Sequence, residues 1–167
     1  MHSSTDNNIP KRGFTSKEFE ARLLKAQEIM YKWELDAILL TTPPNIRYFS
    51  GFDTQFWESP TRPWFLVVPV EGEPIAVVPE IGADAIANTW LSKFDTWSAP
   101  NPDDDGVSLV VSTIKKLGNR FGRVGAELGR EMSLRMPIID FMKLGQGLDS
   151  EIVDASPAIW EMRMIKT

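Results

Sequence analysis

The sequence predicts an α/β domain: three layers, α/β/α, around a mixed, mainly parallel sheet of about five to six strands. Three observations predict it. Short runs at 37–40, 64–69, 74–79, 94–98, 123–128 and 151–154 are too brief for helices, and those at 64–69 and 74–79 are rich in β-branched or aromatic residues. Between most of them lie segments whose apolar residues recur at helical spacing. The resulting order is helix, strand, hairpin, helix, strand, helix, strand, helix, and its single hairpin makes the sheet mixed.

In the first helical segment Phe19, Leu23, Ala26, Met30 and Trp33 step by four, three, four and three, which puts them on one face. Thr15 or Ser16 supplies an N-cap, with Glu18 and Glu20 in the first turn. The run 37–40 does not alternate and reads as a buried strand, stopped by Pro43 and Pro44 and followed by a short helical turn ending at Gly51. Residues 64–69 and 74–79 form a hairpin whose loop holds Gly72. Residues 83–91 have helical spacing, and 94–98 is a short edge strand ended by the Pro100/Pro102 loop. Asp103, Asp104 and Asp105 lead into a helix carrying Val107, Val110, Val111, Ile114 and Leu117, with Lys115, Lys116 and Gly118 at its close. A strand at 123–128 follows. Pro137 opens a helix that closes at Gly145, 151–154 is the last strand, and Ser156 caps a final helix with Pro157 at its first position. Residues 1–13 form a flexible arm without periodic apolar residues.

The chain has 167 residues, 43% hydrophobic and 25% charged, enough for one buried core. A net charge of -5 argues against nucleic acid or an anionic membrane as the main partner. No apolar run reaches the roughly 18 residues of a membrane span, and the start has no apolar signal core. The absence of cysteine excludes disulfides and thiolate metal sites and fits a cytoplasmic location. The only histidine is His2, so neither a Ser-His-Asp nor a Cys-His arrangement can be built around a placed imidazole. No phosphate-binding glycine loop occurs. The acidic run 103–105 lacks the ligand spacing of a calcium loop and reads as a helix N-terminus. No self-sufficient catalytic site or cofactor site is legible.

The most function-like surface is the polar-aromatic segment 53–64, which includes Phe56, Trp57 and Arg62. Aromatics beside arginine in a proline-bounded loop build a substrate wall, with the guanidinium as a carboxylate fork. The alternative is that Phe56 and Trp57 tuck under the sheet and Arg62 pairs with Glu58. Arg47 and Tyr48 read as structural, closing the short helix onto the sheet. Trp33, Trp90 and Trp160 read as core, and Trp57 and Trp64 as interface candidates.

A resemblance to a known family spans nearly the whole chain. Arg22-Leu23, Met30, Leu35-Asp36-Ala37, the segment from Asn45 through Tyr48 to Ser50-Gly51-Phe52, Val124-Gly125-Ala126-Glu127 and Arg163-Met164-Ile165-Lys166 occur in the order found in creatinase/prolidase hydrolases. The chain resembles the amino-terminal domain of these aminopeptidase P-like, "pita-bread" enzymes. The resemblance implies that residues 14–155 are that domain and that 156–167 is a helix leading into a catalytic domain missing from this sequence. It implies a parent C–N hydrolase, an Xaa-Pro peptidase or a related amidine or amide hydrolase, in which this part alone is inactive. In peptidase members the second domain holds two divalent metals (Mn, Co or Zn) through Asp, Asp, His, Glu and Glu, activating a water. Creatinase-like members work without metal. Family members are homodimers in which this domain helps close the partner's active site. The loop after Ser50-Gly51-Phe52 does so, which nominates Phe56, Trp57 and Arg62 as substrate-side residues supplied in trans to a small peptide or amidine substrate. The rival implication is a stand-alone peptide-binding module without catalysis, as in histone-chaperone subunits.

Overall fold

The computed structural model describes residues 13–59 and 62–164 of the chain, so the expected arm at 1–13 lies outside it except for Gly13. Helix α1 (Ser16–Lys32) is capped by Thr15, whose hydroxyl accepts from the Glu18 amide. It buries Phe19, Leu23, Ala26, Ile29 and Met30. Strand β1 (Ala37–Leu40) is buried at every residue, and helix α2 (Pro43–Ser50) follows it. Gly51 closes α2 in the left-handed region at φ 70°, and a Cβ there would lie 2.8 Å from the Phe19 ring. Only glycine meets both demands.

The hairpin is β2 (Phe65–Pro69) and β3 (Ile75–Pro79), tied to α1 by Gln27, which donates to the Gly72 carbonyl at 2.8 Å. Then come α3 (Ala83–Ala87), β4 (Lys93–Trp97), α4 (Val107–Lys115), β5 (Arg123–Ala126), α5 (Ile138–Gly147), β6 (Glu151–Asp154) and α6 (Ser156–Arg163). The six strands run in the order β4-β3-β2-β1-β5-β6. β1 lies antiparallel to β2 and parallel to β5, and the β3–β4 and β5–β6 pairs are also parallel. The sheet is thus mixed with a parallel majority, as the sequence predicts.

Alternate strand residues face opposite layers. Ile38, Leu40, Leu66 and Val68 pack with Met30 of α1, Phe49 of α2 and Ile159 of α6. Ala37, Leu39, Phe65, Val67 and Val124 pack with Val110 and Ile114 of α4 and Leu144 of α5. Asp36, just before β1, is 4% exposed, and its carboxylate accepts from the amides of Arg120, Phe121 and Arg123 at 2.7–3.1 Å. One side chain thereby holds the turn into β5 against the start of β1.

Several expectations are corrected. Trp33 is the C-cap of α1 and 38% exposed, its indole donating to Glu161 rather than entering the core. Trp160 is 45% exposed; Trp90 packs against the core as expected, but from beyond α3, half-buried and with its indole N–H on the Phe49 carbonyl. Trp64, expected at an interface, is 3% exposed beneath Gly82, and Trp57 is also buried. The third helix stops at Ala87 because Asn88 and Thr89 donate their side chains to the carbonyls of Asp84 and Ile86. The helix opened by Pro137 runs on to Gly147, two residues past the expected stop at Gly145. Ser156 is the first residue of α6 rather than its cap, and its amide and hydroxyl both donate to Asp154.

Candidate functional site

Two surfaces meet near α2. At the carboxyl ends of the parallel strands β1 and β5 lies a cleft of about 740 Å3, walled by Thr42, Pro43, Asn45, Ser133, Trp160 and Arg163. The floor beside it is a buried polar hub. β5 ends at Ala126, two residues before the expected stop, and the next residue, Glu127, is 1% exposed. Its Oε2 accepts from the Thr41 amide at 2.7 Å, the Thr41 hydroxyl at 2.9 Å and the Thr42 amide at 3.0 Å. Its Oε1 accepts from the Thr42 hydroxyl, and from Asn45 Nδ2 at 2.5 Å. Asn45 passes the chain on, because its Oδ1 accepts from the Arg163 guanidinium at 2.6 Å. A buried acid at a strand end is costly unless its oxygens are filled, and here five donors fill them.

On the other side of Arg163, a groove of about 690 Å3 runs between α1 and α2, walled by Phe14, Phe19, Arg22, Arg47 and Tyr48. Arg22 sits 4.0 Å over the Phe14 ring and 4.7 Å over the Tyr48 ring, and donates to the Tyr48 carbonyl. Tyr48 donates its hydroxyl to the Met162 carbonyl at 3.1 Å. Burial pushes the Tyr48 phenol above its usual value, with Arg22 and Arg163 working the other way. Tyr48 thereby ties α2 to α6 rather than to the sheet as expected. Arg47 faces outward instead and pairs with Asp53 at 2.5 Å.

The segment after α2 begins with Asp53, whose Oδ1 takes three donors: Arg47, the Thr54 amide and the Trp57 indole N–H at 3.1 Å. The Arg47 hydrogen bond is the main reason the Asp53 carboxyl titrates below the ordinary carboxylate range. Thr54 caps a 3-10 turn at Gln55–Glu58. Within it Trp57 turns inward, its ring 5.5 Å from Phe52 and 6.1 Å from Trp64, while Phe56 points outward at 42% exposure. Arg62 is half-buried, and the side chain of Glu58, its expected alternative partner, lies outside the described ones. Neither cleft has Phe56, Trp57 or Arg62 in its wall. The structure therefore places Phe56 and Trp57 on opposite sides of one turn. Sequence reasoning assigned no role to Glu127 or to Arg135, whose guanidinium reaches the carbonyls of Trp57 and Ser59. The signal for Glu127 was an acid closing an apolar run opposite Thr41-Thr42; Arg135 had none.

Among the described residues no three of His, Cys, Asp and Glu are placed to hold a metal ion, so the side chains seen here do not form a site for the divalent metal of the peptidase members. No helix among them is long and apolar enough to cross a membrane.

These features define an α/β domain with one cleft at the carboxyl ends of β1 and β5 and a groove between α1 and α2. Residues 22–165 match the family model of the Creatinase/Prolidase N-terminal domain, and the chain belongs to that family. It is 27% identical over 164 residues to the creatinase of Bacillus sp. (strain B-0618), covering 94% of this chain and 36% of that protein. Among solved structures it resembles dipeptidase PepE from Mycobacterium ulcerans, with TM-score 0.68 and 22% identity over 92% of this chain and 38% of that one. It also resembles the N-terminal domain of an X-Pro dipeptidase from Streptococcus pyogenes, with TM-score 0.65 and 14% identity over 84% of this chain and 98% of that one. The chain thus spans little more than a third of the creatinase and of the Mycobacterium dipeptidase, which carry further chain beyond the matched domain.

Proposed function

We propose that this domain is the non-catalytic amino-terminal part of a creatinase/prolidase-like C–N hydrolase, where it serves dimerisation and closes the substrate pocket. The parent would be an Xaa-Pro peptidase or a related amidine or amide hydrolase working in the cytoplasm. Any divalent metal (Mn, Co or Zn) would belong to the second domain. The substrate-side residues would be Phe56 and Arg62, reaching the partner subunit's pocket, while Trp57, expected beside them, is buried and could act there only as their anchor. The observation that carries this reading is the division of labour in the turn Gln55–Glu58. Trp57 anchors it in the core while Phe56 stays exposed. An exposed aromatic ring beside a rigid anchor, with a guanidinium a few residues further on, suits recognition of a carboxylate-bearing substrate. In the full-length enzyme, Arg62→Ala should raise KM or lower kcat without lowering the melting temperature. Unchanged kinetics would remove Arg62 from the site.

A further inference from the structure

The segment that carries Phe56 and Trp57 is short, and its internal hydrogen bonds are few. The Phe56 amide donates to the Thr54 hydroxyl at 3.2 Å and the Ser59 amide to the Phe56 carbonyl at 3.2 Å. Asp53 braces the turn from within the same segment. Besides the packing of Trp57 on Phe52 and Trp64, Arg135, in the loop between β5 and α5, hydrogen-bonds the turn from elsewhere in the chain. Its Nη2 donates to the Trp57 carbonyl at 2.5 Å and to the Ser59 carbonyl at 3.3 Å. A guanidinium is suited to this because its planar fork binds two acceptors at once.

Arg135 is itself held. Its backbone amide donates to the Thr41 hydroxyl at 2.9 Å, and that hydroxyl donates to Glu127. The path from the buried Glu127 hub to the aromatic turn is therefore continuous: Glu127, Thr41, Arg135, then the carbonyls of Trp57 and Ser59. Through Asn45 the same carboxylate also holds Arg163 at the end of α6. We propose that Arg135, anchored on the Glu127 hub, is the positioning residue that fixes the aromatic turn at its place on the sheet. This deepens the substrate-side reading of the segment that presents Phe56 and rests on it. Arg135 touches no substrate in this scheme; it sets where the residues that do are presented.

The test compares Arg135→Met and Arg135→Lys, first by amide hydrogen exchange on the chain. Arg135→Met keeps the apolar stem and removes both carbonyl contacts, so the amides of Phe56, Trp57 and Ser59 should exchange about tenfold faster, with α1 and β1 unchanged. Arg135→Lys supplies one donor in place of the fork and should restore part of the protection. Exchange within twofold of the unsubstituted chain in Arg135→Met would overturn the assignment. In the full-length enzyme Arg135→Met should raise KM more than it lowers kcat, and Arg135→Lys should recover part of the loss. Faster exchange with KM unmoved in Arg135→Met would overturn the positioning role and leave a structural clasp. Both KM and kcat unmoved in Arg62→Ala as well would mark the failure of the substrate-side reading itself.

Discussion

Glu127→Gln is the substitution that most directly tests the hub. It preserves volume and shape and changes one carboxylate oxygen into an NH2 group. The Oε2 position can keep its oxygen and its three bonds from Thr41 and Thr42. The new NH2 then stands where Oε1 accepted from Asn45 Nδ2 at 2.5 Å, so two donors face each other. If Asn45 turns its amide over to present oxygen, it withdraws Oδ1 from Arg163, which loses its 2.6 Å partner. Either way one hydrogen bond involving a charged group is lost at a buried site, a cost of about 2 kcal/mol. For a domain of this size that corresponds to a fall of about 4–8 °C in Tm. Thermal unfolding followed by circular dichroism reads it. Because Glu127 and Asn45 share the affected bond, Glu127→Gln combined with Asn45→Ala should cost less than the sum of the two singles. A Tm within 1 °C of the parent for Glu127→Gln, or strict additivity in the pair, would refute the picture of a connected hub.

Asp36→Asn replaces one of the two oxygens that accept from the Arg120, Phe121 and Arg123 amides, and should cost about 1–3 kcal/mol in urea unfolding. An unchanged midpoint would mean that this turn does not need the carboxylate. Gly106 sits at φ 85°, and a Cβ there would fall 2.6 Å from the Trp97 ring, so Gly106→Ala should destabilise by about 1–3 kcal/mol and shift the near-ultraviolet signal of Trp97. Asp53 titrates below its ordinary value, chiefly through the Arg47 hydrogen bond, so the links it makes are present above the unfolded carboxylate value and are lost as pH falls through the lower folded one. The Trp57 indole N–H resonance should therefore move only in acid below the ordinary carboxylate range. Asp53→Asn should abolish that titration; a titration that persists in this variant would assign it to another group.

The layer order was legible in the sequence because it rests on periodicity. Apolar runs too short for helices became strands, and Pro43-Pro44 and Gly51 marked both ends of α2. What periodicity cannot show is what covers a face. Trp33 continues the stripe of α1 by count, yet the helix ends at Lys32 and the ring turns out to meet Glu161. Trp160 lies on a regular helix, but its face opens into the cleft beside Asn45. Trp57 and Trp64 looked like interface residues because they sit in or beside a proline-bounded loop, and they are buried because both rings pack on Phe52. The hub was hidden for a different reason: Glu127 and its partners Thr41, Thr42 and Asn45 lie more than eighty residues apart in sequence. Only the parallel pairing of β1 with β5 brings them together.

That pairing order leaves β4 and β6 as the two rims of the sheet. Each rim presents peptide groups that an extended chain from another molecule could copy, the usual route to strand exchange and fibrous aggregation. β4 carries Lys93 and Asp95, and β6, four residues long, begins with Glu151 and ends with Asp154. Charges at these places discourage an incoming strand and leave the helical layers and loops as the surfaces for recognition. A second copy of the chain, or a peptide, would then meet side chains rather than a backbone ladder, and its selection would depend on sequence.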